Sequence, residues 1–189
     1  MPENNHNYDP SLLSGKALER YWYRLKAQEE FMNLFKYNEG DDRAIAIVGG
    51  SFLETLLEHI LIEFLPEDEK EVDELLKYDK PLGTYGNKVR MCYCLGLIDK
   101  IIKDDLKIVG RIRNRFAHDL YVSFKDEQIV KMCNSLKWHY IAMMVSEVPE
   151  GATTRDIFQV GVHTLISHLV GNVGMARTEK RFIKDRFSR

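Results

Sequence analysis

The sequence predicts an all-α protein folded as a compact antiparallel helical bundle, and three observations carry that prediction. Apolar residues recur every three or four positions in segment after segment, the spacing that lays one stripe on one face of a helix. Capping residues, prolines and glycines punctuate those segments at their ends. The only extended stretch is brief, Tyr121 to Phe124. With 189 residues, 44% hydrophobic and 30% charged, the chain is long enough for one domain with a sizeable core and short for two.

Residues 1–10 are polar with two prolines and read as a flexible lead-in. From Ser11 or Ser14 a first helix carries Leu18, Tyr21, Trp22, Leu25, Phe31, Met32 and Phe35 until Asn38-Glu39-Gly40 stops it. Asp41 or Asp42 then caps a second helix. Its apolar positions Ile45, Val48, Phe52, Leu53, Leu56, Leu57, Ile60, Leu61 and Phe64 form a wide face ending before Pro66, which marks it as the central core helix. Glu67 to Lys77 is short and acidic, an outward covering helix. Lys80-Pro81-Leu82-Gly83 breaks the chain, and Thr84 caps a helix running through Val89, Cys92, Tyr93 and Leu95 to Gly96. Another helix spans about Lys100 to Ala117, with Ile102, Val109, Ile112 and Phe116 on its buried face. Lys125-Asp126 opens a helix through Ile129, Met132, Cys133, Leu136 and Tyr140 to Val148, closed by Pro149. Thr153 or Thr154 caps the last one, which carries Ile157, Val160, Leu165, Ile166 and Leu169. The bundle therefore spans residues 11–170. Residues 171–189 read as a basic tail hinged at Gly174, with six Lys/Arg against two acids after Gly171.

Composition excludes several functions. A net charge of −2 gives no global attraction to nucleic acid or anionic lipid, so a polyanion would have to be met by a local patch. No helix-turn-helix with a basic recognition helix is present, which argues against specific DNA binding. No apolar run reaches the length of a membrane span and the start lacks a signal-peptide core, so a cytoplasmic location is expected. The three cysteines read as reduced thiols, with Cys92 and Cys94 on different sides of one helix. No His/Cys pair has zinc-ligand spacing apart from a loose His163 and His168, so no metal is expected. No phosphate loop, dinucleotide fingerprint or nucleophile elbow occurs, and no cofactor is expected. His59, His139, His163 and His168 read as satisfied core or surface histidines, and Tyr21, Trp22 and Tyr23 as packing or dimer aromatics.

Chemistry concentrates in Arg113-Asn114-Arg115-Phe116-Ala117-His118-Asp119. Arginine offers phosphate a fixed fork of donors, and histidine exchanges a proton near neutral pH. Arg111, Asn114, Arg115 and His118 share the outward face. Arg113 sits beside the apolar stripe, where an unpaired charge is costly to bury, and so requires an acidic partner, a dimer interface or a polar cleft. The plainer reading makes Arg113 a salt-bridged residue at the core edge and His118 a helix terminator bonding free carbonyls.

Arg113-Asn114-Arg115-Phe116-Ala117-His118 resembles the Arg-polar-x-x-x-His pattern of the HEPN superfamily, small helical bundles that dimerise, many of them metal-independent ribonucleases. Pro81-Leu82-Gly83, then Lys88-Val-Arg-Met-Cys-Tyr-Cys-Leu-Gly-Leu-Ile98, then Arg113 to Asp119 resembles the mannitol operon repressor family over roughly residues 41–147. The first resemblance implies an RNA endonuclease, a toxin or defence effector. In it His118 serves as general acid or base, Arg113 steadies the phosphorane and Asn114 orients the imidazole. Arg111 and Arg115 would bind substrate, and the second arginine at 115 leaves open which guanidinium serves. Residues 113 and 118 lie about 140° apart on a straight helix, so either the helix breaks near Ala117 or a homodimer joins two motifs. The second resemblance implies a non-catalytic transcription regulator acting through protein contacts. The intact motif places the ribonuclease first and the regulator as its alternative.

Overall fold

The central helix, α1 (Asp42–Phe64), organises everything else. Asp41 caps it by accepting the Arg43 N–H, and extended Leu65 ends it ahead of Pro66, as a residue before proline must. Ile45, Leu53, Leu56, Leu57, Ile60 and Leu61 are at most 1% exposed. Val48, expected in that stripe, is instead 41% exposed, beyond the cover of the neighbouring helices.

The computed structural model describes residues 41–138 and 150–184, with single positions between 15 and 29 and at 142. Among them there is no strand, and five further helices complete the bundle: α2 (Glu69–Leu76), α3 (Tyr85–Cys94), α4 (Lys100–His118), α5 (Glu127–Asn134) and α6 (Thr154–Thr178). The described positions between 15 and 29 are helical. The lead-in, the first helix's stripe beyond Leu25, and residues 139–141 with 143–149 lie outside the described residues.

Each cap is the residue type its helix needs. Asp68, Thr84 and Asp99 accept N–H groups of the first turns of α2, α3 and α4. Thr153 and Asp156 form a reciprocal capping box on α6. The expected face of α4 is buried as a unit, with Ile102, Val109, Ile112 and Phe116 at most 1% exposed. Phe116, Phe124 and Phe158 then stack in series, with ring centroids 5.0 and 5.1 Å apart.

Helix directions are mixed. Arg155 at the start of α6 pairs with Asp42 at the start of α1 (3.0 Å), and Arg177 near the end of α6 grips Glu63 near the end of α1 (2.9 and 2.7 Å). These two core helices therefore run parallel. α4 runs against α1, bringing its last turn beside Arg43.

Two expected boundaries move. The helix opened by Asp126 stops at Asn134 rather than running to Val148. The buried Asp105 carboxylate on α4 accepts the Lys137 N–H (3.1 and 2.9 Å) and the Trp138 N–H (2.8 Å), so the chain breaks to start a new helical turn on it. Burial pushes the Asp105 carboxyl up from the usual range, and those N–H bonds pull against that shift. At the other boundary, α6 continues through Gly171 and Gly174 to Thr178 without a hinge. A helical glycine costs about 1 kcal/mol, which is outweighed here by burial of Val173 and Ala176 and by the Arg177–Glu63 pair. Beyond the helix, the Arg181 N–H donates to the Phe64 carbonyl (2.8 Å).

The expectation that no segment matches a membrane span is corrected by α1, whose 23 residues are long and apolar enough to cross a bilayer. Most of its apolar window is covered by the other helices, as befits a core helix. The cysteines divide as expected, Cys92 buried and Cys94 exposed, and burial pushes the Cys92 and Cys133 thiols up to about 12.

Candidate functional site: a cleft along helix α4

Arg113 obtains both an acidic partner and a cleft. Its guanidinium lies 3.4 Å from Glu54 of α1, while its methylene stem passes over Gly50 one turn earlier. A Cβ at position 50 would stand 2.9 to 3.1 Å from the Arg113 stem, so only glycine lets the two helices approach this closely. Glu54 also accepts from Lys88 of α3 at 3.3 Å, and Lys88 reaches Glu58 at 3.0 Å. Lys88 is only 4% exposed. Two cations and two carboxylates thus neutralise one another, which removes the cost of an unpaired charge at the edge of the core.

Tyr85, the first residue of α3, forms the floor beside this network. Its ring fills the space above Gly110, where a Cβ would come within 2.7 Å of Cε1, and its hydroxyl donates to the Leu106 carbonyl at 2.9 Å. Burial, with the Glu54 charge adding to it, pushes the phenol well above its usual range. It holds the wall and does not trade protons at neutral pH.

Above that floor lies a cleft of ≈ 700 Å³, walled on one side by α4 and on the other by the loop carrying Tyr78 and Gly83. Arg111, Arg113, Asn114 and His118 all border it, joined by Lys107 one turn before Arg111. Lys107, Arg111, Asn114 and His118 are exposed and have no hydrogen-bond or ion-pair partner among the described residues. Arg115 is the exception. It turns out of the cleft and pairs with Asp119 at 3.5 Å, an i, i+4 contact on the helix surface.

The helix break expected near Ala117 does not occur. α4 runs unbroken through His118, and one chain brings Arg113 and His118 to the same cleft. Within it the Arg113 guanidinium is turned to Glu54.

The role of helix terminator belongs to Arg43 instead of His118. From the first turn of α1 it donates to the carbonyls of Phe116, Asp119 (2.7 Å) and Leu120 (2.8 Å), three acceptors at the end of α4. His118 is left exposed at the mouth of the cleft. Arg43→Gln is expected to loosen this last turn by about 1.5 kcal/mol, the low end for one charge-assisted bond. Hydrogen exchange of the Asp119 amide, which donates to Arg115 O at 2.9 Å, should then accelerate about tenfold.

Glu54, Arg43, Tyr78 and Lys107 are site residues that reading the sequence missed. Lys107 could have been found, since it continues the Arg111 and His118 stripe one turn back. Glu54 and Glu58 also left a trace, as an i, i+4 pair of acids interrupting an apolar helix. No group of three or more His, Cys, Asp or Glu that could hold a metal occurs among the described residues.

No family model matches the chain, and no curated protein matches it. Its fold is similar to that of a chain in the X-ray structure of the MtlR-HPr complex from Escherichia coli, with a TM-score of 0.58 and 20% identity. The likeness covers 78% of this chain and 98% of that one. At this identity it is a likeness of fold.

Proposed function

We propose that this protein is a non-catalytic cytoplasmic regulator that acts through protein contacts, in the manner of the mannitol operon repressor family. The observation that carries this reading is the fold likeness to a chain of the MtlR-HPr complex over nearly the whole of that chain, together with the sequence resemblance from Pro81 to Asp119. What that neighbour's complex supplies is the class of partner, another protein. The state of Arg113 agrees with it, because the arginine that a ribonuclease would aim at the phosphorane is engaged by Glu54.

One observation favours a second reading, a HEPN-type metal-independent endoribonuclease. His118 has no partner and faces the cleft with Asn114 and Arg111, an arrangement that can take a proton from a 2′-hydroxyl and hold a phosphate. In that case Arg111 would be the free guanidinium, with Arg113 set by Glu54 and Arg115 outside the site.

One experiment separates the two. Purified protein incubated with total RNA in EDTA is expected to leave it intact, and His118→Ala to behave as wild type. Cyclic 2′,3′-phosphate ends from wild type and none from His118→Ala would replace the regulator with the ribonuclease. His118 is exposed, so its removal leaves the fold in place. For the regulator itself, a photo-crosslinker placed on the protein in its own cells should capture one defined protein partner reproducibly.

A further inference from the structure

We infer that the α4 cleft is a docking groove for an acidic segment of a partner protein, an inference that rests on the regulator reading above and names the surface and the chemistry of its partner. The charges are arranged for it. Arg113 and Lys88 are balanced by Glu54 and Glu58, which leaves Lys107 and Arg111 as the uncompensated charges lining the cleft. The cleft is therefore locally basic on a chain whose net charge is −2. Helices usually satisfy exposed cations with i, i+4 acids, as Lys100 does with Asp104 and Lys131 with Glu127. Lys107 and Arg111 have no such acid and project toward empty space instead.

Length and spacing suit an extended peptide. From Lys107 to His118 is eleven helical steps, about 16 Å, which about five residues of extended chain would cover. Alternate side chains on one face of such a chain stand about 6.6 Å apart. Lys107 and Arg111 stand about 6 Å apart along the axis, so carboxylates two residues apart can meet both. Asn114 can hydrogen-bond the peptide backbone beyond them, and the 92% exposed Tyr78 on the opposite wall offers an apolar face.

A long nucleic acid strand fits less well. On the wall opposite α4, Lys77 and Lys80 on either side of Tyr78 are already paired with Asp73 and Glu74, so a phosphate backbone continuing past the cleft meets no free cation of that loop. A short acidic segment needs only the free cations of α4.

The test measures fluorescence anisotropy of labelled deca-glutamate and, separately, of a labelled ten-nucleotide oligouridine against the full chain at low salt. Deca-glutamate should bind wild type, and Arg111→Glu or Lys107→Glu should each weaken it at least tenfold. Lys131→Glu, on α5 and outside the cleft, should bind like wild type. The inference is overturned if Arg111→Glu binds the peptide as tightly as wild type does, or if deca-glutamate shows no binding. It is equally overturned if oligouridine binds more tightly than the peptide and is lost in Arg111→Glu, which would make the cleft a nucleic-acid site. Failure of the groove alone would appear as a defined crosslinked protein partner attached away from α4. Failure of the regulator reading would appear as RNA cleavage in EDTA that depends on His118.

Discussion

Leu57→Asp should abolish cooperative folding. Leu57 is fully buried in the middle of α1, between the helices that cover it from both sides. The substitution removes a packed leucine, worth about 2–5 kcal/mol, and leaves an unpaired carboxylate whose burial costs several more. Together these approach or exceed the roughly 5–15 kcal/mol that holds a domain of this kind. Thermal melts followed by circular dichroism should show no cooperative transition for Leu57→Asp and a lowered but cooperative one for Leu57→Ala. A soluble, cooperatively melting Leu57→Asp would mean that α1 is not the core helix.

Lys88→Met should be the most damaging single change near the cleft. Its ammonium is nearly enclosed and bridges Glu54 and Glu58. An apolar isostere leaves those carboxylates side by side with only Arg113 to offset them. Breaking a buried pair costs about 3–5 kcal/mol, and because both acids keep some exposure to water, about 2–4 kcal/mol is expected in urea denaturation. Glu58→Gln added to Lys88→Met should recover about 1 kcal/mol, since it removes the repulsion that the first change creates. If Lys88→Met melts like wild type, the four-charge network is not what supports Arg113.

The buried faces of α1 and α4 were legible because a helix that packs on a core must carry apolar residues at three- and four-residue spacing, and a single strand of text displays that spacing. Caps were legible for the same local reason: Asp41, Thr84 and Thr153 each satisfy an N–H two or three residues away. The break at Ser135 was not legible. Ile129, Cys133 and Leu136 keep a helical period across it, and what interrupts the helix is Asp105, more than thirty residues earlier. Gly171 and Gly174 misled in the opposite direction, because local propensity suggests an end where tertiary burial of Val173 and Ala176 sustains the helix.

Within the motif, helical spacing alone puts Arg111, Asn114 and His118 on one side of α4 and makes a counter-charge necessary for Arg113, since both follow from 100° per residue and the cost of burying a charge. It could not identify that counter-charge. Glu54 lies some sixty positions away and meets Arg113 only because Gly50 lets α1 and α4 approach. Nor could it separate Arg115 from Arg111. On a helical wheel they share a face, and only the packed chain turns one toward Asp119 and leaves the other open to the cleft. Local periodicity decides which residues face inward, whereas which helices meet, in which direction and with which charges opposed is set by long-range packing that no short window of sequence contains.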